Sequence, residues 1–136
     1  MKPTRPAGPS GAGKTTLLNL LSLMPIGGSA EGEVTFNGAP MTERLFREHM
    51  SIVSQEDHLW PFLTCREALE FAADFSVAGT SQDRQAKVDS LIQQLGLESC
   101  QNTKCGNVFF KGLSGGQKRR LSLAIALLKV CFAPCP

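Results

Sequence analysis

The sequence predicts an α/β fold, because helical and short extended segments alternate in a chain of only 136 residues. A glycine-rich stretch at residues 8–13 runs directly into good helix formers at residues 14–23. Runs typical of short strands follow at residues 33–36 and 50–54, and Asn37-Gly38 indicates a tight turn after the first run. The chain length fits one small domain.

The second half of the sequence is mainly helical. Thr64, with Glu67 three residues later, has the pattern of a capping box, which predicts a helix to about residue 75. Residues 83–95 carry apolar side chains at the spacing of one helix face, and Gly96 is placed to end that helix. Strand content is low, so the sequence predicts an α/β domain that is incomplete and has a helical part.

We divide the chain into three predicted parts. Residues 1–59 form the part of the core that carries the strands, residues 60–112 a helical subdomain, and residues 113–136 a last segment. A helix is predicted at residues 115–130, and because its second half is apolar nearly all round it should be buried.

Composition excludes several classes of protein. A net charge of +2, with no basic run longer than Lys118-Arg119-Arg120, argues against a nucleic-acid partner. The five cysteines are odd in number and include no C-x-x-C pair, so neither a disulfide framework nor a zinc site is expected. No signal peptide and no apolar run of about 20 residues is present, which predicts a reducing, cytosolic location.

Residues 8–15 read Gly-Pro-Ser-Gly-Ala-Gly-Lys-Thr, the G-x-x-x-x-G-K-[ST] pattern of a phosphate-binding loop. Glycines let successive backbone N–H groups point inward at phosphate oxygens, and the following helix adds the positive end of its dipole. Lys14 is predicted to reach the β- and γ-phosphates of ATP, and Thr15 to offer its hydroxyl to Mg²⁺. The buried strand that usually precedes such a loop is absent from residues 1–7, where two prolines occur.

Residues 113–117 read Leu-Ser-Gly-Gly-Gln, the signature sequence of ABC ATPases. With this motif the resemblance covers nearly the whole chain: GPSGAGKTTLLNLL resembles the Walker A segment and SIVSQEDHLWPFLTCREAL the Q-loop and its helix. LGLESCQNTKCGN followed by GLSGGQKRRLSLAIALL is similar to the G (white/brown) subfamily. The resemblance implies a nucleotide-binding domain of the P-loop NTPase fold with a helical subdomain, on the cytosolic face of a membrane transporter.

In that family two such domains pair head to tail, and ATP lies between the Walker A segment of one and the signature of the other. The resemblance implies that Gln55, in the Q-loop, contacts Mg²⁺ or the attacking water, and that Thr15 and Gln55 are the metal contacts. A transmembrane domain is the second implied partner. The implied nucleotide-binding residues are Gly8, Ser10, Gly11, Ala12, Gly13, Lys14, Thr15, Thr16, Ser114, Gly115, Gly116 and Gln117.

Residues near these motifs have more than one interpretation. Ser114 is in place to cap the helix that follows it, and its two glycines leave N–H groups for an anion. The basic triplet after them opposes the helix dipole, which a nearby polyphosphate or an acidic partner would offset. The simpler interpretation is a solvated face, and no direct phosphate contact is expected. The apolar run at residues 60–63 is either core or part of a groove that holds the membrane domain.

The family's next elements are a strand ending in Asp-Glu and a switch histidine after the signature. No Asp or Glu follows Glu98, and His49 and His58 precede the signature, so both are expected to be surface or loop residues. We therefore expect no ATP hydrolysis by this chain alone, since phosphoryl transfer needs groups that orient water and support Mg²⁺. Glu56 and Asp57 are weak substitutes.

Two function classes stay open. The chain is either a piece of an ATP-driven transporter or a non-catalytic nucleotide-binding module that pairs with a full-length relative. A GTPase or small-molecule kinase fits worse, because the signature has no place in those classes. The missing strands predict low stability, with partly exposed apolar faces on the helix after Lys14 and on the signature helix. The positions expected to be exposed are Leu17, Leu18, Leu20, Leu21, Leu121, Ile125 and Leu128.

Overall fold

The computed structural model describes residues 8–24, 27–29, 31–54 and 58–130. The chain divides into two compact units, Met1–Phe46 and Arg47–Pro136. This boundary is drawn from contacts, whereas the division into residues 1–59, 60–112 and 113–136 follows the motifs and stays a prediction.

The first unit contains helix α1 (Lys14–Leu21) and an antiparallel hairpin of β1 (Thr35–Phe36) and β2 (Ala39–Pro40). Asn37 and Gly38 make the turn with φ of 52° and 84°. These left-handed values are the ones a two-residue hairpin turn requires, and asparagine and glycine adopt them at low cost. The predicted turn is confirmed, while the first strand is shorter than predicted because only two residues pair.

Helix α1 buries none of its own residues. Leu17, Leu18 and Leu21 are 48%, 52% and 41% exposed, as expected for this helix. An eight-residue helix is marginal in water without tertiary packing. Its stability therefore depends on whatever surface covers these leucines.

Helix α2 (Glu43–His49) was not predicted, and the strand predicted at residues 50–54 is wrong. Thr42 Oγ1 accepts a hydrogen bond from the Leu45 N–H at 3.2 Å, which caps the helix start. Residues 50–54 are not assigned to a strand, because a strand needs a neighbour to accept its backbone hydrogen bonds and no described residue supplies one there.

The second unit contains helices α3 (Cys65–Ser76), α4 (Ser81–Gln94) and α5 (Gly115–Val130), with a 3₁₀ turn at Glu98–Cys100. Both α3 and α4 begin with a capping box, of which the first was predicted from the sequence. In α4 Leu95 is the C-cap, and Gly96 follows with φ of 60°, as predicted for the end of that helix.

Thr64 and Glu67 form the predicted capping box of α3. The Thr64 N–H donates to Glu67 Oε2 at 2.7 Å, and the Glu67 N–H donates to Thr64 Oγ1 at 3.2 Å. The backbone and side-chain hydrogen bonds of Thr64 to the Glu67 carboxylate hold the pKa of that carboxyl below its ordinary value. The next two N–H groups of the helix, of Cys65 and Arg66, donate to carbonyls of the loop after the 3₁₀ turn. The start of α3 is thereby fixed to that loop.

Packing of α3 against α4 and α5 forms the core of the second unit. Leu121 and Leu128 of α5 are fully buried in it, so the expectation that the signature helix exposes these positions is wrong. Helix α3 itself supplies the apolar surface on which α5 packs. Ile125 is partly buried against the same core, and Leu123 is 41% exposed although the sequence predicted an all-buried second half. The buried core residues are Cys65, Ala68, Leu69, Ala73, Val77, Val88, Leu91, Ile92, Leu97, Cys100, Cys105, Leu113, Leu121, Ala124 and Leu128.

Candidate nucleotide-binding motifs

The glycine-rich loop of the first unit has the backbone conformation that a phosphate cradle needs. Gly11 and Gly13 adopt φ of 84° and 75°, and a Cβ atom at either position would meet nothing within 4 Å. The loop is therefore open on the side where these Cβ atoms would point. The Ala12 N–H donates to the Pro9 carbonyl at 3.3 Å and closes a turn before the helix. Left-handed glycines at alternate positions curl the backbone so that its N–H groups face one concave side.

Within the described residues, no side chain caps the N-terminus of α1. The residue before the helix is Gly13, which has no side chain to offer, and Lys14, Thr15 and Thr16 occupy the first turn. The first-turn N–H groups and the positive end of the helix dipole therefore remain available to an anion. Phosphate is the anion that this arrangement fits, in agreement with the sequence pattern.

Lys14 reaches back over the loop. Its Nζ donates to the carbonyls of Gly8 and Pro9 at 2.8 and 2.6 Å. The ammonium group thus lies beside the glycine-rich loop and donates hydrogen bonds to its carbonyl oxygens. A phosphate oxygen would compete with these carbonyls and offers a charge-assisted hydrogen bond, which is stronger than one to a neutral acceptor.

The described residues contain no group of three or more His, Cys, Asp or Glu side chains that could hold a metal ion by themselves. Mg²⁺ keeps several waters and is usually held by one or two protein ligands together with substrate phosphates. Thr15 is exposed in the first turn of α1 and fits such a site. Gln55, the other predicted metal contact, lies outside the described residues, as do Glu56 and Asp57.

The signature motif of the second unit forms a capping box at the start of α5. The Ser114 N–H donates to Gln117 Oε1 at 2.8 Å, and the Gln117 N–H donates to Ser114 Oγ at 3.3 Å. Ser114 is the predicted N-cap, whereas the part played by Gln117 was missed although S-x-x-Q is a capping-box pattern. A Cβ atom at Gly115 or Gly116 would meet nothing within 4 Å, so the first turn of α5 is accessible to a ligand.

Three consecutive cations follow the signature, and each is bound to a backbone carbonyl. Lys118 Nζ donates to the Gly106 carbonyl at 3.1 Å, and the Arg119 guanidinium donates to the Ser54 carbonyl. Arg120 donates to the carbonyls of Leu95 and Gly96, which directly follow α4, at 3.1 and 3.0 Å. Arg119 and Arg120 are exposed and Lys118 is partly buried, so the interpretation of this triplet as a solvated basic face is confirmed for the two arginines. The same side chains also attach the start of α5 to three other segments.

The loop before the signature presents aromatic side chains to solvent. Asn107 Oδ1 accepts hydrogen bonds from the N–H groups of Phe109 and Phe110, both at 2.9 Å. This turn leaves Phe109 88% and Val108 97% exposed. The neighbouring surface pocket has a volume of about 380 Å³ and includes Phe62 in its lining. In residues 60–63, Trp60 and Phe62 are exposed whereas Leu63 packs against the core, so the core interpretation holds for Leu63 and the groove for the membrane domain stays a prediction.

Two glycines allow the two ends of this loop to pass close to each other at its base. A Cβ atom at Gly112 would lie 2.5 Å from the carbonyl oxygens of Lys104 and Cys105. At Gly106 it would lie 2.7 Å from the Phe110 carbonyl oxygen. Because real Cβ atoms do not approach other heavy atoms this closely, only glycine fits where the loop returns to Leu113.

Three cysteines of the second unit are buried thiols: Cys65, Cys100 and Cys105. Burial raises the pKa of the Cys65 thiol to about 12, and the neighbouring Cys100 and Cys105 thiols reinforce the effect. Burial likewise raises the pKa of Cys105. Since the thiolate is the reactive form, these side chains are core residues rather than nucleophiles. Cys131 and Cys135 lie outside the described residues.

Both histidines that precede the signature are exposed, as predicted. His49 lies at the end of α2 and His58 lies in the segment before α3. No helix among the described residues is long and apolar enough to cross a bilayer.

Comparison with known proteins identifies the family. The family model described as "ABC transporter" matches residues 7–131. The chain is 42% identical over 122 residues to "ABC transporter G family member STR2" of Medicago truncatula, covering 89% of this chain and 17% of that protein. It is 43% identical over 118 residues to "ABC transporter G family member 22" of Arabidopsis thaliana, covering 85% of this chain and 16% of the relative.

The chain is similar to an animal protein to a comparable degree. The "ATP-binding cassette sub-family G member 8" of Rattus norvegicus is 37% identical over 124 residues, covering 89% of this chain and 18% of that protein. The chain thus spans less than a fifth of the length of these relatives. The motifs in their order, the family match and these likenesses agree, and the chain belongs to the ABC transporter family, as part of an ATP-binding domain of the G-subfamily type.

Proposed function

We propose that this chain binds ATP with Mg²⁺ through residues 8–16 and associates head to tail with a second ABC nucleotide-binding domain through residues 114–117. The observation that carries the proposal is the pair of left-handed glycines in an open loop, directly before a helix whose start no side chain caps. The start of α5 supports the proposed association, because it is accessible and offers N–H groups to the phosphate of a second nucleotide.

Charge placement supports ATP over an uncharged ligand. Lys14 Nζ has only two neutral carbonyls as partners among the hydrogen bonds described for it, and a polyphosphate would replace them with charged oxygens. The roles of Thr15 and Gln55 toward Mg²⁺ rest on the family resemblance, which places the ion between the nucleotide phosphates and these two side chains. By the same resemblance, the signature would close over the terminal phosphate of the nucleotide held by its partner.

In a whole transporter, such a domain couples ATP binding and hydrolysis to transport. The aromatic surface of Trp60, Phe62, Phe109 and Phe110 is the part of this chain that we assign to contact with the transmembrane domain. Phe62 and Phe110 already contact each other with ring centroids 6.5 Å apart, and the pocket beside them can take an apolar side chain. Aromatic side chains left exposed together mark interaction surfaces. This contact would place the domain at the cytosolic face of the membrane.

The binding half of the proposal is tested by calorimetry with Mg²⁺–ATP on the purified chain. Lys14→Ala should weaken binding by at least about tenfold, because a charge-assisted hydrogen bond is worth about 1.5–3 kcal/mol. Lys87→Ala removes one positive charge from α4, outside both motifs, and should leave the affinity within about twofold. Equal affinity of the wild-type and Lys14→Ala chains would refute the cradle.

The association half is tested by sedimentation velocity with and without Mg²⁺–ATP. A head-to-tail dimer should form only with nucleotide, and Lys14→Ala should abolish it. We also expect no phosphate release by the chain alone, because no carboxylate follows Glu98 in its sequence. Phosphate release that disappears in Lys14→Ala would contradict that expectation and would direct attention to Glu56 and Asp57.

A further inference from the structure

We propose that Cys65 and Cys100 are the site of an intramolecular disulfide, formed with a small-molecule disulfide such as oxidised glutathione as the oxidant. Cys65 is the first residue of α3, and Cys100 is the last residue of the 3₁₀ turn. The bond would join these two elements and hold the core of the second unit closed. The proposed nucleotide binding does not use these thiols, so the oxidation site is independent of that function.

Backbone hydrogen bonds bring Cys65 and Cys100 into neighbouring positions. The Cys65 N–H donates to the Thr103 carbonyl at 3.0 Å, and the Thr103 N–H donates to the Cys100 carbonyl at 2.9 Å. The Arg66 N–H donates to the Gln101 carbonyl at 2.9 Å. The start of α3 is therefore fixed beside the end of the 3₁₀ turn, although the two are far apart in the sequence.

The two thiol groups also contact each other. Cys65 is fully buried and Cys100 is 5% exposed, and both belong to the same apolar core. The Cys65 S–H donates to the Cys100 sulfur, and the Cys100 S–H donates to the Leu97 carbonyl with Sγ and oxygen 3.4 Å apart. Because the two sulfur atoms that must join are already neighbours, the bond can form by movement of side chains without a large movement of the backbone.

The third buried thiol, Cys105, is less well placed to pair with Cys65. Thr64 faces Lys104 across an isolated antiparallel bridge, and the Cys105 N–H donates to the Leu63 carbonyl at 2.8 Å. Cys105 therefore lies opposite Leu63, which makes Cys65 and Cys105 diagonal neighbours. Diagonal positions in an antiparallel pair are about 7–8 Å apart. Most disulfides join Cα atoms no more than about 6.8 Å apart.

Burial keeps these thiols unreactive while the second unit is closed. It raises the pKa of the Cys65 thiol to about 12, and the thiolate is the form that attacks a disulfide. A reagent of the size of glutathione also has no access to a fully buried sulfur. The reaction therefore begins in molecules whose core has opened, and the partner thiol is selected as the core forms again.

The chemistry is a thiol–disulfide exchange in two steps. One protein thiol loses its proton, and its sulfur attacks the S–S bond of oxidised glutathione. This step forms a mixed disulfide and releases one glutathione thiolate, which takes up a proton. The second protein thiol then loses its proton and attacks the protein sulfur of the mixed disulfide, which forms the protein disulfide and releases the other glutathione. Two protein thiols are oxidised, and one molecule of oxidised glutathione is reduced to two of glutathione.

The experiment oxidises the full chain with glutathione buffers of increasing oxidised fraction. Cys131→Ser and Cys135→Ser are introduced so that only the three buried thiols can react. One sample is kept in urea below the unfolding transition, and a matched sample is kept in urea that unfolds the chain. Free thiols are then blocked, the chain is cleaved without reductant, and mass spectrometry identifies the linked peptides.

We expect the bond between Cys65 and Cys100 to be the main linkage in the folded chain. In the unfolded chain the bond between Cys100 and Cys105 should dominate, because it closes the shortest of the three possible loops. A change of linkage between the two samples would show that the fold selects the pair. Raising urea within the folded range should speed formation of the bond, since opening precedes reaction.

A disulfide at this place should also stabilise the second unit. Oxidation should raise the thermal midpoint by at least about 5 °C, because the bond closes a long loop in the unfolded chain. Reduction with dithiothreitol should return the midpoint to its starting value. Cys105→Ala should keep both the linkage and the shift, whereas Cys100→Ala should remove both.

Four results would overturn the inference. They are a linkage through Cys105 in the folded chain, glutathione adducts or free thiols without an internal disulfide, the same linkage in the folded and unfolded samples, and a bond between Cys65 and Cys100 that does not raise the midpoint. The linkage is determined in the chain that retains all three buried thiols, so it does not depend on whether the alanine variants fold.

Discussion

Replacing Leu121 with alanine tests whether α5 is held by the helical core of the second unit. Leu121 is fully buried there, two residues after Arg119. Removing the isopropyl end of its side chain from a packed core should cost about 2–5 kcal/mol, composed of lost transfer free energy and the cavity left behind. That is a large part of the roughly 5–15 kcal/mol that stabilises a domain. In urea the midpoint should fall by about 1–2.5 M if the m-value is about 2 kcal/mol/M.

The matched control is Leu17→Ala, the same change on a helix where the side chain is 48% exposed. We expect it to change the free energy of unfolding by less than about 1 kcal/mol. The assay is urea unfolding followed by circular dichroism at a helix wavelength, to which α3, α4 and α5 contribute most of the signal. Equal effects of the two substitutions, or a loss below about 1 kcal/mol for Leu121→Ala, would refute the assignment of α5 to this core.

Three further substitutions test other features of the second unit. Gly112→Ala should lower the thermal midpoint strongly, because its Cβ would lie 2.5 Å from two carbonyl oxygens, whereas Gly116→Ala should not lower it, as a Cβ there meets nothing within 4 Å. Arg120→Gln should cost about 0.5–1.5 kcal/mol in urea unfolding, since the carbonyls at the end of α4 lose their donor, and Arg120→Lys should be intermediate. The pKa of Glu67 lies below its ordinary value of 4.5 in the folded chain, so the stability it contributes is present above pH 4.5 and is lost as pH falls through the folded-state pKa. Glu67→Gln should therefore reduce the loss of stability as the pH falls below 4.5, and an unchanged pH profile would contradict this assignment.

Local signals in the sequence predicted the elements that depend on local chemistry. The capping box at Thr64, the hairpin turn at Asn37 and the span of α5 are all confirmed, because caps, turn residues and apolar runs act within a few positions. The fixed glycine spacing also predicted the two motifs proposed to bind phosphate, and that role stays a prediction.

Features that depend on distant segments were not predictable in this way. The burial of Leu121 depends on α3, which lies about fifty residues earlier, and the contacts of the basic triplet depend on carbonyls in three separate segments. The strand expected at residues 50–54 failed for a related reason: β propensity expresses fit to neighbouring strands. Helix α2 was not predicted because Thr42 is followed three residues later by Leu45 rather than Glu or Gln, so its cap lacks the capping-box pattern.

Alkylation of the three buried thiols would report transient opening of the second unit. Cys65, Cys100 and Cys105 are at most 5% exposed, so an alkylating reagent can reach them only when the helices around them separate. With Cys131 and Cys135 changed to serine, a label on any of the three remaining thiols marks a molecule whose second unit has opened at least once. Molecules that have opened even briefly would carry a permanent mass increase. Mass spectrometry over time would then measure the rate of opening at equilibrium and show whether nucleotide lowers that rate.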